Sequence, residues 1–160
     1  MTNEQEIFTK YLEQLRLKLI QKYDEYGLRA SGKYEEELEG EASDHGFVLF
    51  GAKHSEYMDR GRGSGGNYKK IAPIIKNWIE VKSSLPQFFR ENKESLSFAI
   101  AYRIAEEGIK VPNQYNKGKV VSLVVNEFLA KDVDKLINEI GLVYLERFRS
   151  QITNVFKEVA

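Results

Sequence analysis

Apolar side chains recur every three or four positions along the first part of the chain, a spacing that predicts an amphipathic α-helix. Asn3 and Glu6 are spaced as a capping box at its start, and Gly27 stands where a left-handed residue would end it. The apolar stripe is formed by Phe8, Tyr11, Leu12, Leu15, Leu19, Tyr23 and Tyr26. We therefore predict that the chain begins with a long helix that buries one face.

The pattern changes to a period of two between residues 33 and 42, where Tyr34, Leu38 and Ala42 share one parity. The other parity is acidic and consists of Glu35, Glu37, Glu39 and Glu41. This alternation predicts a half-buried strand with an acidic outer face. Residues 43–46 have the composition of a turn, residues 47–50 predict a second strand, and residues 53–58 are predicted to continue in extended form.

Helical spacing returns in the second half of the chain. One apolar face, with Pro73 in the first turn, is formed by Ile71, Ile74, Ile75, Trp78 and Ile79. Phe88 and Phe89 predict a short helical turn, and residues 94–107 predict a helix that ends at Gly108. Residues 120–125 are β-branched and predict a strand, although their periodicity also fits a helix, and residues 131–159 predict a long final helix.

These elements follow the order α-β-β-α-α-β-α, which indicates one α+β domain over residues 1–160. We predict a small antiparallel or mixed β-sheet flanked by helices, with long helices at both ends. An extended loop rich in Gly and Arg is predicted at residues 59–68. The length agrees with a single domain, because domains cluster near ~100–150 residues.

Composition narrows the classes of function. Lys and Arg number 24, as do Asp and Glu, so the chain lacks the basic excess on which non-specific nucleic-acid binding relies. Cysteine is absent, which excludes disulfides, zinc–thiolate sites and thiol nucleophiles. The N-terminus has no apolar signal region, and no apolar run approaches the ~20 residues that would cross a bilayer. We expect a soluble protein of a reducing compartment, without a membrane partner.

The loop contains a literal G-x-G-x-x-G at residues 61–66, between an expected extended segment and a helix. That motif binds a pyrophosphate when an apolar buried strand precedes it and an acidic residue follows ~20 positions later. Here the preceding residues are polar, and no acidic residue stands on a strand at that distance. We therefore expect no bound cofactor and interpret the segment as a flexible basic loop.

Catalytic and metal-binding chemistry has little support. His45 and His54, the two histidines, stand in no nucleophile–base motif. His54 and Glu56, together with Asp44 and Asp59, are a weak candidate for a divalent-ion site. The glutamate run is more typical of a solvated strand face than of paired catalytic acids. We expect no catalytic residue and no metal.

Charge is distributed unevenly along this neutral chain. The acidic group is Glu35, Glu37, Glu39 and Glu41, and the basic group that follows is Arg60, Arg62, Lys69 and Lys70. Opposite patches at different places suit head-to-tail self-association, in which the basic loop of one subunit meets the acidic strand of the next. The alternative is that both are ordinary solvated surfaces, and charge alone does not separate the two.

Four ordered segments resemble the tail-completion and head–tail connector (neck) proteins of tailed bacteriophages. Residues 28–32 (LRASG) are similar to the family's A-S-G entry into an acidic strand, and residues 57–62 (YMDRGR) to its Y-x-x-x-G-R element at a strand end. Residues 74–82 (IIKNWIEVK) resemble its I-x-x-W-I-x-x-K helix, and residues 99–108 (AIAYRIAEEG) its A-I-A-x-x-I-x-x-x-G helix and cap. The prolines that the family often carries after G-R are replaced by Ser64, Gly65 and Gly66, which indicates a looser loop.

The resemblance implies a structural virion protein without catalytic activity, a homo-oligomeric ring in the neck between portal and tail. Its partners would be other neck, portal or tail proteins, with genomic DNA passing through the lumen. It would reside in the virion and, during assembly, in the host cytoplasm. Arg60 and Arg62 would be interface or lumen residues, and Trp78 would anchor its helix to the sheet.

Two other functions remain open at this point. One is a nucleic-acid-associated binding module that uses Arg60, Arg62, Lys69 and Lys70. The other is a small enzyme with a phosphate or metal site near the loop and His54.

Overall fold

A computed structural model describes residues 2–52 and 54–159 of the chain. Within these residues the protein is mostly helical, with one small antiparallel sheet. The helices are α1 (Asn3–Glu25), α2 (Lys33–Glu36), α3 (Ser55–Arg60), α4 (Tyr68–Val81), α5 (Gln87–Glu91), α6 (Lys93–Glu107), α7 (Val120–Lys131) and α8 (Val133–Val159), and the strands are β1 (Glu39–Ala42) and β2 (Phe47–Phe50). The predicted α+β class is confirmed.

The first helix is the centre of the molecule, because α1 contacts the β-hairpin, α7 and α8. Its predicted stripe is buried at Tyr11, Leu12, Leu15, Leu19 and Tyr23. Burial of this stripe against elements from both ends of the chain joins the first and last thirds of the sequence in one core.

Both ends of α1 are capped. At the start, the Thr2 hydroxyl, rather than Asn3, accepts a hydrogen bond from the Gln5 N–H at 3.2 Å. At the end, Gly27 adopts φ +65°, and the Leu28 N–H donates to the Tyr23 carbonyl at 3.2 Å. This is the left-handed ending that the sequence predicts.

The two strands form a hairpin in which Glu41 pairs with Val48 and Glu39 pairs with Phe50. One face of the hairpin packs on α1, so closely that a Cβ on Gly40 would lie 2.6 Å from a methyl carbon of Leu12. The four side chains just named as pairs are exposed, and they form what we call the outer face of the hairpin. The described part of the chain places no helix on that outer face.

The last helix runs antiparallel to the first, as a ladder of charged pairs demonstrates. Two bridges connect them, Lys10–Glu139 at 2.8 Å and Arg147–Glu4 at 2.5 Å, and a third joins Lys18 to Asp132, the residue before α8, at 2.5 Å. Residue numbers fall on α1 as they rise on α8, so the C-terminal part of α8 leaves the body at the N-terminal end of α1.

One of these bridges makes stability depend on pH. Asp132, which is buried, accepts hydrogen bonds from Lys18 and Lys135, and these hold the pKa of its carboxyl below the usual range. A depressed folded-state pKa adds stability above the unfolded value of about 3.9, and that stability is lost as the pH falls through the folded value.

We therefore expect Asp132→Asn to lower the free energy of unfolding at neutral pH by about 1–2 kcal/mol. The difference from wild type should shrink as the pH falls below about 4, because the unfolded state then binds a proton that the folded carboxylate, with its lowered pKa, does not yet bind. Urea unfolding at a series of pH values measures this. Asp134→Asn, at an exposed position two residues away, is the matched control. A deficit that is independent of pH would contradict the ionic explanation.

Helices α4 and α6 pack on each other and form a separate unit with α5, which we call the helical hairpin. Its interior is made of small and aliphatic side chains at Ala72, Ile79, Ser97 and Ala101, all buried. Small residues let two helices approach closely, which explains how so short a unit holds together. The predicted helical turn at Phe88 and Phe89 and the predicted end at Gly108 are both confirmed.

Three predicted extended segments are wrong. Residues 33–36 form α2 and only residues 39–42 form a strand, because the four-residue spacing of Tyr34 and Leu38 fits either period. Residues 55–60 form α3 instead of continuing β2, while Lys53 lies outside the described residues. Residues 120–125 belong to α7, which buries Val120 and Val124 at helical spacing. The order α-β-β-α-α-β-α is therefore not the observed one.

Two predictions about α4 are also wrong. Pro73 lies in the second turn, on an exposed face, rather than in the first. Trp78 does not attach the helix to the sheet, since α4 packs on α6, and its ring is half-buried beside the Lys82 ammonium, 5.9 Å from the ring centroid.

Candidate interaction surfaces

The predicted acidic group is divided between two environments. Glu35 pairs with Arg29, and Glu37 lies 3.7 Å from His54, so both have neighbours within the chain. Glu39 and Glu41 instead project from the outer face of the hairpin, next to exposed apolar side chains. These two are the acids of the group that are best placed to meet another molecule.

The Gly-rich loop, residues 61–67, is attached to the helical hairpin rather than extending freely. Arg62 and Ile109 exchange backbone hydrogen bonds of 2.8 and 2.7 Å, and the Gly65 N–H donates to the Ala105 carbonyl at 2.6 Å. Gly61 and Gly108 flank this bridge with φ of +83° and +75°. The expectation of a loosely held loop is therefore wrong at its base.

The Arg62 side chain is also less accessible to a partner molecule than its position in the Gly-rich loop indicates. The residue is half-buried, and one guanidinium nitrogen donates to the Gly65 carbonyl at 3.0 Å. A second nitrogen is buried without a partner among the described protein atoms. The side chain thus folds back onto its own loop, which is a structural role.

The other three basic residues of the group are exposed. Arg60 ends α3, while Lys69 and Lys70 begin α4. Among the ion pairs of the described residues, none joins this basic group to the acidic group within one chain. The predicted contact between them across subunits remains a prediction.

A surface that the sequence did not indicate lies on the last helix. Beyond its bridge from Arg147 to Glu4, α8 continues to Val159, a rise of about 18 Å at ~1.5 Å per residue. We call residues 144–159 the C-terminal arm. Its large apolar side chains are exposed, by 51% at Tyr144, 42% at Leu145, 58% at Phe148, 40% at Ile152, 58% at Val155 and 71% at Phe156.

These side chains occupy one face of the arm. Leu145, Phe148, Ile152 and Val155 follow a three–four spacing, so they form one stripe along the helix. Glu146, Ser150, Thr153, Asn154 and Lys157 lie on the opposite, polar face. An amphipathic helix with a bare apolar face is typical of an element whose partner is another molecule.

The sequence alone gives the stripe but not its exposure. We predicted one long helix over residues 131–159. In its first half the structure only partly buries Val133, Leu136, Ile140 and Val143, beside α1 and α7, and it leaves Ile137 61% exposed. The offset of the two helices leaves the arm uncovered: α1 lies alongside α8 between the Lys18–Asp132 and Arg147–Glu4 bridges, and α8 continues past the start of α1. The sequence gives no signal for this offset.

A shallow cavity of about 280 Å³ lies beside Asp59, lined by Ser55, Glu56, Arg60, Val121 and Ser122. Asp59 is committed to structure there: its carboxylate accepts from the Val121 N–H at 2.8 Å, from the Ser122 N–H at 3.2 Å and from the Ser122 hydroxyl. These bonds cap the N-terminus of α7.

The two histidines do not assemble a site. His45 lies in the exposed hairpin turn and His54 lies before α3, near Glu37. In the described ranges, no three His, Asp or Glu side chains are grouped as a metal site would require.

The four segments that resemble the neck proteins lie in contact with one another. Residues 57–62 meet residues 99–108 where Arg62 pairs with Ile109, the residue directly after Gly108. Residues 74–82 pack on residues 99–108 within the helical hairpin. Lys82 then donates to the carbonyls of Gly27 and Arg29, at 2.7 and 3.2 Å, which links the hairpin to residues 28–32. Burial in this position lowers the pKa of the Lys82 ammonium.

Comparison of the chain with family models, with curated proteins and with solved structures finds no match. Among the described residues, no helix combines the length and the apolar character that crossing a bilayer requires.

Proposed function

We propose that this chain is a structural virion protein of a tailed bacteriophage, forming a ring in the neck as a connector or tail-completion component between portal and tail. The observation that carries the proposal is the contact among the four resembling segments. They are separated along the sequence, yet they are connected by the Arg62–Ile109 bridge, by α4–α6 packing and by Lys82.

Their residue types follow from those contacts. A Cβ on Gly61 would lie 2.1 Å from the Ile109 carbonyl oxygen, and a Cβ on Gly108 would lie 2.2 Å from the Arg62 carbonyl oxygen. The Lys82 ammonium, at the end of α4, donates to the carbonyls of Gly27 and Arg29. The ordered set therefore describes one structural unit, which makes the resemblance more specific than four separate short motifs.

The C-terminal arm supports an assembly role independently. Monomeric proteins rarely expose contiguous apolar patches above a few hundred Å², and larger patches mark interaction sites. Six large apolar side chains of the arm are each at least 40% exposed. A subunit of a ring has neighbours that would cover such a helix.

Native mass spectrometry of the purified protein, alone and mixed with candidate portal or tail proteins, tests the proposal. We expect closed rings, either alone or with one of these partners, and the measured mass gives the number of subunits. A strict monomer that binds no virion protein would contradict the ring assignment. Negative-stain electron microscopy of the same samples distinguishes closed rings from irregular aggregates.

A second candidate is a nucleic-acid-binding module, favoured by the exposure of Arg60, Lys69 and Lys70 near the loop. Binding through phosphate contacts weakens steeply with salt. A gel shift that persists at physiological ionic strength and weakens in Lys69→Gln/Lys70→Gln would favour it. The ring proposal predicts no stable complex of the isolated subunit with DNA under those conditions.

A further inference from the structure

We propose that the C-terminal arm of one copy docks on the outer face of the β-hairpin of the next copy, as a helix laid across a sheet. This inference rests on the proposed ring assembly and names its contact. The sequence indicates the Gly-rich loop as the partner of the acidic strand. In the present proposal the C-terminal arm takes the place of that loop.

The first argument is the kind of surface on each side. The hairpin carries α1 on one face, whereas its outer face exposes Val48 by 54% and Phe50 by 51%. Large apolar side chains grouped on an exposed face mark a surface that another molecule covers. The arm is a helix whose apolar stripe has no cover among the described residues. The arm and the outer face of the hairpin can therefore each supply the apolar contact that the other lacks.

The second argument is the apolar surface area that the arm exposes. The six large apolar side chains of the arm are about half exposed, which corresponds to roughly 100 Å² each and ~600 Å² together. Stable interfaces bury about 800 Å² per partner, of which a little over half is apolar. The arm therefore provides enough apolar surface for a specific contact, and the polar side chains beside the stripe would supply the rest.

The third argument is charge. On the helix, Arg149 follows Leu145 by four positions and precedes Ile152 by three, so it borders the stripe. On the hairpin, Glu41 stands directly opposite Val48 and Glu39 directly opposite Phe50. An arm seated on Val48 and Phe50 would thus bring Arg149 near two carboxylates that are otherwise exposed.

The fourth argument is symmetry. The arm and the outer face are different surfaces, so the contact is head-to-tail, and head-to-tail contacts generate rings when the rotation closes. Pairing of two arms would instead give a two-fold dimer and would bring no acid to Arg149 from the hairpin. Arg62, folded onto its own loop, is not available to serve the acidic face.

Engineered cysteines test the contact without background, because the chain has no cysteine of its own. We would mix Val48→Cys protein with Ile152→Cys protein under mild oxidation and resolve the products by denaturing electrophoresis and peptide mapping. The expected product is a disulfide between positions 48 and 152 in the mixture, with little dimer from either variant alone. Phe148→Cys and Val155→Cys cover the neighbouring turns of the arm.

A charge swap adds a second readout. Glu39→Lys/Glu41→Lys in the Val48→Cys protein should lower the yield of the mixed disulfide about tenfold, because like charges then face each other. Arg149→Glu in the arm protein should restore it. Glu36→Lys, an exposed position in α2 away from the outer face, is the matched control and should leave the yield unchanged.

Two results would overturn the inference. Efficient dimers of the Ile152→Cys protein alone would mean that arms pair with each other. Absence of any disulfide from position 48 to the three arm positions would mean that the arm does not reach the hairpin. Native mass spectrometry of the wild type separates this failure from that of the proposed function, since rings without these disulfides would leave the ring assignment intact.

Discussion

Gly108→Ala should lower the free energy of unfolding by about 3–4 kcal/mol, a drop of roughly 10 °C in the melting temperature. Gly108 ends α6 at φ +75° and ψ −163°, a region that is essentially restricted to glycine. An added Cβ would lie 2.2 Å from the Arg62 carbonyl oxygen and 2.7 Å from the Gly63 carbonyl carbon. Both neighbours are backbone atoms, so the bridge itself would have to move.

Two other glycines serve as controls for this substitution. Gly63→Ala, in the same loop, places its Cβ in open space and should be nearly neutral. Gly141→Ala, within α8 and equally unobstructed, should stabilise the protein by about 0.5–1 kcal/mol, because alanine favours the helix. Thermal unfolding of the three variants measures the differences. A Gly108→Ala protein as stable as the Gly63→Ala protein would contradict the arrangement of the bridge.

Asp59→Ala should cost about 2–3 kcal/mol, the second largest effect that we expect. The carboxylate at the end of α3 satisfies two N–H groups of the first turn of α7 and the Ser122 hydroxyl. Alanine would leave those donors unpaired in a half-buried position, and α7 carries Val124 and Phe128 of the core. Denaturant unfolding followed by circular dichroism provides the measurement.

Asp59→Asn separates the loss of an acceptor from the loss of charge. Its amide oxygen can still accept from the Val121 N–H, so we expect about half of the destabilisation. Ser122→Ala removes one of the three donors and should cost less than Asp59→Ala. Equal stability of all three variants and the wild type would mean that Asp59 does not hold α7.

The helices of this fold follow closely from the sequence where the apolar period is sustained. The α1 stripe, its left-handed end at Gly27 and the end of α6 at Gly108 were all predictable, because cap residues and helical spacing agree. The hairpin was predictable from its turn residues for the same reason. Agreement among independent local signals is what made these predictions correct.

The predictions that were wrong concern segments whose conformation is determined by contacts with residues distant in the sequence. Residues 120–125 are β-branched and favour a strand locally, but the Asp59 carboxylate, more than sixty positions away, caps them as a helix. Likewise, the role of the Gly-rich loop could not be read from its composition. The partner that attaches it, Ile109, lies beyond three intervening helices, α4, α5 and α6.

The candidate site was predictable only in part. The exposure of Glu39 and Glu41 follows from strand alternation, whereas the exposure of the arm depends on where α1 begins alongside α8. Periodicity reports that a helix has an apolar face, and it does not report which molecule covers that face. The division of α8 into a partly buried first half and an exposed arm is therefore a property of the tertiary structure.

The bridge between Arg62 and Ile109 has a consequence for how this chain can vary. The chain enters the helical hairpin and leaves it at adjacent points, as an inserted domain does in its host. Lys82 attaches the end of α4 to the carbonyls of Gly27 and Arg29, so insertions or deletions are tolerated beyond it, between residues 83 and 92, without moving α3 or α7. The molecule thus combines a helical hairpin fixed to the body at both ends of α4 with a short connection, residues 83–92, whose length is free to diverge.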